Sequence, residues 1–287
     1  MSGELYRFQQ RQGLKSRRTH GKAGSFKTTA IENERRVLQA VTSLYDKKEI
    51  YNMDETAYFY CSIPGKTISK NRISGRKKIK KGLTVAVTSN ADGSTKIPLL
   101  FVGTARQPRC FGGKSAEELG IQYGNAAKGW MNTELFMKWI ERFNERMKIE
   151  GHHVLLLLDN VSSHRVTVPL SNVTVQMLPT NTTSFLQPQD AGIIQSFKCE
   201  LEQLKTRYIA GKSDELLDKA AEVGNENVET QMESLYTVDV LQAMQWAQEA
   251  WETVTRTTVA NCWRHTKIID DEVYELVESI KQIALGQ

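Results

Sequence analysis

The feature that most constrains the fold is a run of five aliphatic residues, Val154–Leu158, that ends directly in Asp159 and Asn160. An apolar run without alternation is typical of a strand that is covered on both faces of a sheet. Such a strand places the chain in the α/β class, with helices packed against the sheet. Because the run ends in a carboxylate, we expect Asp159 to emerge at the edge of the sheet, where α/β proteins frequently bind their ligands.

The hydrophobic periodicity of the remaining chain predicts further strands and helices. In chain order these are a helix at 29–46, a strand at 49–60, a hairpin at 83–103 with its turn at 90–93, a helix at 132–148, a strand at 173–179 and a helix at 190–209. An antiparallel meander followed by βα alternation predicts a mixed sheet flanked by helices. Residues 211–287 are predicted to be helical, with Trp246, Trp251 and Trp263 in the helical core rather than on a base-stacking surface.

The charge of the chain is distributed unevenly, although its formal net charge is only +5. Residues 1–81 carry 19 Lys and Arg against 7 Asp and Glu, a net charge of +12. Residues 211–287 carry 6 against 15, a net charge of −9. A basic segment of this density favours nucleic acid as a partner, although a solvated arm would have the same composition.

Composition argues against two other classes of protein. No apolar run approaches the roughly 18 residues that a membrane-spanning helix needs, so we expect no membrane association. The four cysteines, at positions 61, 110, 199 and 262, are far apart and form no Cys-x-x-Cys pair. This spacing argues against a zinc ribbon or a disulfide framework and favours a reducing compartment.

Three aspartates stand at informative positions in this pattern. Asp54 lies within the first predicted strand, Asp159 ends the apolar strand and Asp190 opens the last helix of the α/β region. Taken singly, Asp54 could pair with a lysine, and Asp159 could form a turn with its neighbour. Asp190 could simply cap its helix.

Taken together, three carboxylates from separate elements can hold hard divalent cations such as Mg²⁺ or Mn²⁺ through oxygen ligands. Two such ions roughly 3.5–4 Å apart can activate a water and stabilise the leaving oxygen in phosphodiester chemistry. We expect Asp54 to bridge both ions, because it comes from the central first strand. No Ser-His-Asp arrangement, P-loop or Gly-x-Gly-x-x-Gly motif competes with this interpretation.

These motifs resemble a known family. NMDET at 52–56, LLLLDNVSSH at 155–164 and LQPQDAGIIQSFK at 186–198 are similar to the DDE superfamily endonuclease domain of pogo/Tigger-type transposases, within the Tc1/mariner superfamily. The segments at 75–103, 129–140 and 237–268 resemble the same family in the same order, and residues 3–25 resemble the tail of the helix-turn-helix shared with centromere protein B.

The resemblance implies a ribonuclease H-like fold, in which Asp54, Asp159 and Asp190 form a catalytic triad that binds two Mg²⁺ or Mn²⁺ ions. It implies nicking of DNA by water, followed by attack of a 3′-hydroxyl on target DNA. Transposases of this kind act in the nucleus, usually as homo-oligomers that pair two transposon ends. Asn160 and His164 belong to the same motif and are expected to orient Asp159 or to contact DNA, a structural turn being the alternative.

Basic side chains on two segments are candidate contacts to the DNA backbone, or alternatively a solvated arm and an edge loop. They are Arg7, Arg11, Lys15, Arg17, Arg18, Arg76, Lys77, Lys78, Lys80 and Lys81. The chain begins near the end of the resembled helix-turn-helix, so we expect the sequence-specific reader to be missing. At Gln189 the family usually has an apolar residue, a departure that touches no expected metal ligand.

The sequence therefore predicts four parts. They are a helix-turn-helix tail and basic linker at 1–29, a connecting helix at 30–48, a DDE catalytic domain at 49–210 and an acidic helical extension at 211–287. The favoured function is that of a transposase-type endonuclease and strand transferase. The alternatives are a domesticated or decayed DNA-binding protein of the same fold and a protein-interaction module formed by the acidic extension.

Overall fold

The computed structural model describes residues 28–61, 81–223 and 235–270. Several sequence predictions lie outside these ranges. They are the proposed DNA contacts Arg7, Arg11, Lys15, Arg17, Arg18, Arg76, Lys77, Lys78 and Lys80. Lys81 is described and is exposed.

Six strands and six α-helices make up the described fold. They are α1 (Thr28–Thr42), β1 (Ile50–Tyr58), β2 (Leu83–Asn90), β3 (Lys96–Gly103), β4 (Gln122–Asn125), α2 (Thr133–Glu150), β5 (Val154–Leu158), β6 (Val173–Met177), α3 (Thr183–Leu186), α4 (Ile194–Val223), α5 (Val240–Thr253) and α6 (Arg256–Thr266). A π-helical turn, Gln189–Ile193, leads directly into α4. None of the described helices combines the length and the apolar character needed to cross a bilayer.

The strands form one mixed sheet in the order β4-β3-β2-β1-β5-β6. The first three strands are antiparallel neighbours, whereas β5 runs parallel to β1 and β6 runs parallel to β5. This is the ribonuclease H-like arrangement that the sequence predicted, and the predicted fold class is confirmed. The short parallel edge strand β4 was not predicted.

Helices cover both faces of the sheet, as the unbroken apolar run in β5 requires. All five residues of β5 are buried, and they alternate between two hydrophobic clusters. One cluster joins the sheet to α2 through Phe136, Ile140 and Met147. The other joins the opposite face to α4, α5 and α6. The sheet is therefore the shared core of both helical layers.

Local side-chain chemistry sets the ends of these elements. The Asn132 side chain accepts a hydrogen bond from the Leu135 N–H and begins α2, and Gly151 ends it in the left-handed conformation. In the β2–β3 turn, Gly93 has φ of +71° and lies against α6, since an added Cβ would come within 2.5 Å of the Arg256 carbonyl oxygen. Only glycine fits this turn without strain.

The two helices beyond α4 pack directly on the sheet. Trp246, Trp251 and Trp263 are 6%, 2% and 1% exposed, which confirms that they are core residues. The Trp251 indole donates to the Ile97 carbonyl oxygen over 3.0 Å. The Lys96 ammonium donates to three carbonyl oxygens where α5 ends. Residues 240–266 therefore belong to the same packed unit as the sheet.

Candidate acidic active site

Parallel pairing of β1 with β5 brings two of the predicted aspartates together. The register pairs Asn52 with Leu157. Two residues further along the two strands lie Asp54 and Asp159, so the carboxylates leave neighbouring strands at the same end of the sheet. The sequence predicted both residues at strand positions but gave no information on this register.

The turn that carries Asp190 is tied to the sheet by a buried amide network. Gln189 is fully buried, and its backbone N–H donates to the Asn52 side-chain oxygen over 3.0 Å. Its side-chain amide donates to the Asn52 carbonyl oxygen over 3.0 Å and to the Ser89 hydroxyl over 3.1 Å. Asn52 in turn donates to the Leu157 carbonyl oxygen. Gln189 therefore ties the turn that carries Asp190 to β1 and β2, a role that the sequence analysis did not foresee.

Burial and mutual repulsion raise the pKa values of two of the aspartates. Burial, and then the negative charges of Asp190, Glu55 and Asp159, raise the pKa of Asp54 well above its usual value. Partial desolvation and then the charge of Asp159 raise the pKa of Asp190, although this residue is exposed. Because carboxylates repel in this way only at short range, the three predicted triad residues share one electrostatic environment. Such an excess of negative charge favours a bound cation.

Lys198 on α4 is a cation beside this group that the sequence analysis did not single out. Burial lowers its pKa, whereas the charges of Asp54 and Asp190 raise it. The side chain is half-buried and partly offsets the repulsion between the carboxylates. It stands one helical turn beyond the π-helical turn that carries Asp190.

His164 lies against Asp159 on the α2 side of the strand ends. Its Nδ1 is 2.6 Å from the Asp159 Oδ1, and its Nε2 is 2.8 Å from the Glu55 Oε1. The ring is fully buried and packs against Phe136, with ring centroids 4.8 Å apart. Burial lowers the pKa of His164, but its hydrogen bonds and the charges of both carboxylates outweigh this and raise it to about 10. The imidazolium therefore holds both carboxylates in place.

Glu55 is a site residue that the sequence analysis missed. It follows Asp54 and points to the other face of β1, because successive side chains of a strand alternate. A carboxylate that points into an apolar layer needs a hydrogen-bonding or charged partner. The position of Glu55 next to Asp54 in the strand could therefore have predicted such a partner. Asn160, which was expected to share the supporting role of His164, is exposed.

One group of three described side chains is close enough to hold a metal ion, and it contains Asp159 but neither Asp54 nor Asp190. The carboxylate and imidazole atoms of Glu55, Asp159 and His164 lie within 4.8 Å of one another. Both ring nitrogens of His164 are engaged by carboxylates, however, which leaves the oxygen atoms as the better ligands. Oxygen donors suit Mg²⁺ or Mn²⁺. An open cleft of about 330 Å³ runs past Asp54, Glu55 and Asp159 and gives a ligand access to them.

Carboxylates on neighbouring strands of an α/β sheet offer oxygen ligands for divalent ions, which can catalyse phosphodiester chemistry. The comparison with protein families agrees. The model of the DDE superfamily endonuclease family matches residues 80–263, and the chain belongs to this family.

Individual relatives are distant in sequence. The chain is 26% identical over 284 residues to CENP-B homolog protein 2 of Schizosaccharomyces pombe, covering 94% of this chain and 52% of that protein. It is 27% identical over 270 residues to Tigger transposable element-derived protein 4 of Mus musculus, covering 91% and 48%. The chain thus spans about half the length of these relatives.

Among solved structures, the chain is similar to a Mos1 transposase paired-end complex with the left transposon end. The identity is 14% and the TM-score is 0.42, and the match covers 92% of this chain and 71% of that one.

Proposed function

We propose that this chain is a DNA endonuclease and strand transferase of the transposase type, dependent on two divalent metal ions. Asp54, Asp159 and Asp190 are its catalytic residues and metal ligands. The proposal is supported by the β1–β5 register, which carries Asp54 and Asp159 on neighbouring strands, and by the charges of these residues. The charge of Asp159 raises the pKa of Asp190, and the charges of both raise the pKa of Asp54.

The donor set fits Mg²⁺ or Mn²⁺, because three carboxylates without a neutralising cation for each favour hard divalent ions. When bound, such ions supply an activated water and stabilise the leaving oxygen of a phosphodiester. The chain's own contribution is to position the ligands. Asp54, Asp159 and Asp190 would hold the ions, while His164 fixes the orientation of Asp159. Asn160, which is exposed directly after Asp159, is proposed to contact DNA.

DNA is the proposed substrate and partner. Family membership and the basic first 81 residues both support this, and Lys81 contributes a positive charge just before β2. The reaction class further implies a nuclear protein that acts as a homo-oligomer on two DNA ends. These two properties rest on the family alone.

The proposal is tested by nicking of supercoiled plasmid DNA with Mn²⁺ or Mg²⁺. We expect the wild-type chain to nick the plasmid and EDTA to abolish nicking. Asp54→Asn and Asp159→Asn should each reduce nicking to the level seen in EDTA while leaving DNA binding in place. Asp218→Asn is the matched control, because this exposed residue of α4 lies about 36 Å along the helix from Ile194.

Retained nicking in Asp159→Asn would remove the triad assignment. Binding of DNA without nicking by the wild-type chain, under either metal, would instead support the alternative of a non-catalytic DNA-binding protein of this fold. The control variant excludes a general effect of neutralising an aspartate.

A further inference from the structure

Trp130 is a large apolar side chain that the fold leaves in solvent. It is 68% exposed, whereas the other four tryptophans of the chain, at 139, 246, 251 and 263, are 1–6% exposed. Exposed indole rings are uncommon on soluble proteins and are enriched where proteins bind partners. Core packing therefore does not explain the exposure of Trp130.

The exposure does not come from a loosely held loop. On one side of Trp130, the Gly129 carbonyl oxygen accepts a hydrogen bond from the Thr84 hydroxyl over 2.7 Å. The Gly129 N–H donates to the Ala126 carbonyl oxygen over 2.8 Å. On the other side, Asn132 caps α2. These contacts hold the residues on both sides of Trp130, while its side chain stays exposed.

The indole stands beside the acidic site. Trp130 and Met131 line the same cleft as Asp54 and Asp159. The Lys128 ammonium lies 6.0 Å from the centroid of the Trp130 ring. The rim of the cleft therefore presents an aromatic surface and a positive charge next to the carboxylates. A nucleotide has the matching groups, because its base can stack on an aromatic ring and its phosphate can pair with a cation.

We propose that Trp130 is a stacking platform for an unpaired base of the DNA strand whose phosphodiester enters the acidic cleft, and that Lys128 contacts a neighbouring phosphate. This inference rests on the proposed function, since it takes the cleft to be the place where DNA reacts. It specifies that the substrate DNA is single-stranded next to the reacting phosphodiester. Stacking of this kind tolerates any base sequence, because every base has a π-face.

The test compares two fluorescein-labelled twelve-nucleotide strands in a Ca²⁺ buffer. One is oligothymidine, and the other has the same phosphates but abasic sites in place of its bases. By fluorescence anisotropy, Trp130→Ala in the 287-residue chain should weaken binding to oligothymidine about tenfold, the size of one lost stacking contact. It should leave binding to the abasic strand unchanged. Trp130→Phe should restore part of the affinity, and Lys128→Ala should weaken both strands alike.

Leu44→Ala is the control, because Leu44 is 78% exposed and does not line the cleft. If Trp130→Ala weakens binding to both strands equally, or weakens binding to neither, the stacking role is overturned. A change in oligomeric state of Trp130→Ala without the base-dependent loss would assign the indole to a protein interface instead. If the wild-type chain does not nick plasmid DNA but the base-dependent loss is found, the nuclease proposal fails and the stacking platform stands.

Discussion

Replacement of Gln189 tests whether buried hydrogen bonds hold the turn that carries Asp190. Gln189→Ala removes the two hydrogen bonds donated by the side-chain amide and leaves the Asn52 carbonyl and the Ser89 hydroxyl without this donor. Together these losses should cost about 3 kcal/mol. The space left by the side chain adds about 1 kcal/mol. The Gln189 Oε1 is buried and has no hydrogen-bond partner among the described residues, and its removal returns about 1 kcal/mol. The expected net loss is about 3 kcal/mol.

Gln189→Leu separates packing from hydrogen bonding at this position. Leucine fills most of the same volume, removes the same unpartnered oxygen and gains apolar burial, so we expect a loss of only about 1 kcal/mol. The smaller loss would also agree with the apolar residue that the resemblance leads us to expect here. Gln195→Ala, at an exposed position of α4, is the control and should stay within about 0.5 kcal/mol of the wild type.

Urea unfolding followed by circular dichroism measures these free energies, and plasmid nicking measures their effect on the site. A shift of Asp190 by about 1 Å should reduce nicking about a hundredfold in Gln189→Ala, and much less in Gln189→Leu. If Gln189→Ala has the same free energy of unfolding as Gln195→Ala, the anchoring role is refuted.

Two further predictions concern the buried contacts of Lys96 and His164. Lys96→Met should lower the free energy of unfolding by about 2 kcal/mol, because the ammonium satisfies carbonyl oxygens where α5 ends. Urea midpoints should show a much larger shift than for Lys138→Met, whose exposed ion pair contributes less than about 1 kcal/mol, and equal midpoints would contradict the prediction. In EDTA, the contribution of His164 to stability should be complete below about pH 6.5, its unfolded pKa, and be lost as the pH rises through the folded value of about 10. Thermal melts across this range should show a steeper decline for the wild type than for His164→Gln, and parallel profiles would contradict the clamp.

The sequence predicted the sheet well because its strands carry strong local signals. The unbroken apolar run of β5 and the Asn90–Gly93 turn each allow few alternatives. By contrast, β4 has four residues without full burial and gives no such signal. The helix predicted at 190–209 begins at Ile194, because Gly192 at φ of +145° interrupts the helical backbone, and it continues past residue 210 to Val223. The predicted domain division, whose boundary falls inside this helix, stays a prediction.

The supporting contacts of the site could not be predicted, because they join residues that are distant in the chain. Gln189 and Asn52 are 137 positions apart, and His164 and Glu55 are 109 apart. Neither pair has a periodicity or a spacing that a single sequence reveals. The aspartates could be named from their positions at strand and helix ends, whereas the amides that gather them could not.

The turn that carries Asp190 is held by neutral groups, and this has a consequence for metal binding. The Gln189 amide joins the turn of Asp190 to β1, but it donates no hydrogen bond to a triad carboxylate and so leaves their repulsion in place. Lys198 offsets that repulsion only in part, since the pKa values of Asp54 and Asp190 stay raised. The fold therefore keeps the carboxylates close at a cost in stability that a divalent cation would relieve.

Because an ion that binds only the folded chain stabilises it by mass action, Mn²⁺ should raise the melting temperature of the wild type. The same rise should be smaller in Asp54→Asn, although this variant, relieved of one buried charge, should melt higher than the wild type in EDTA. A lower melting temperature of Asp54→Asn in EDTA would mean that Asp54 is held by favourable contacts and that the site is not prepared for a cation.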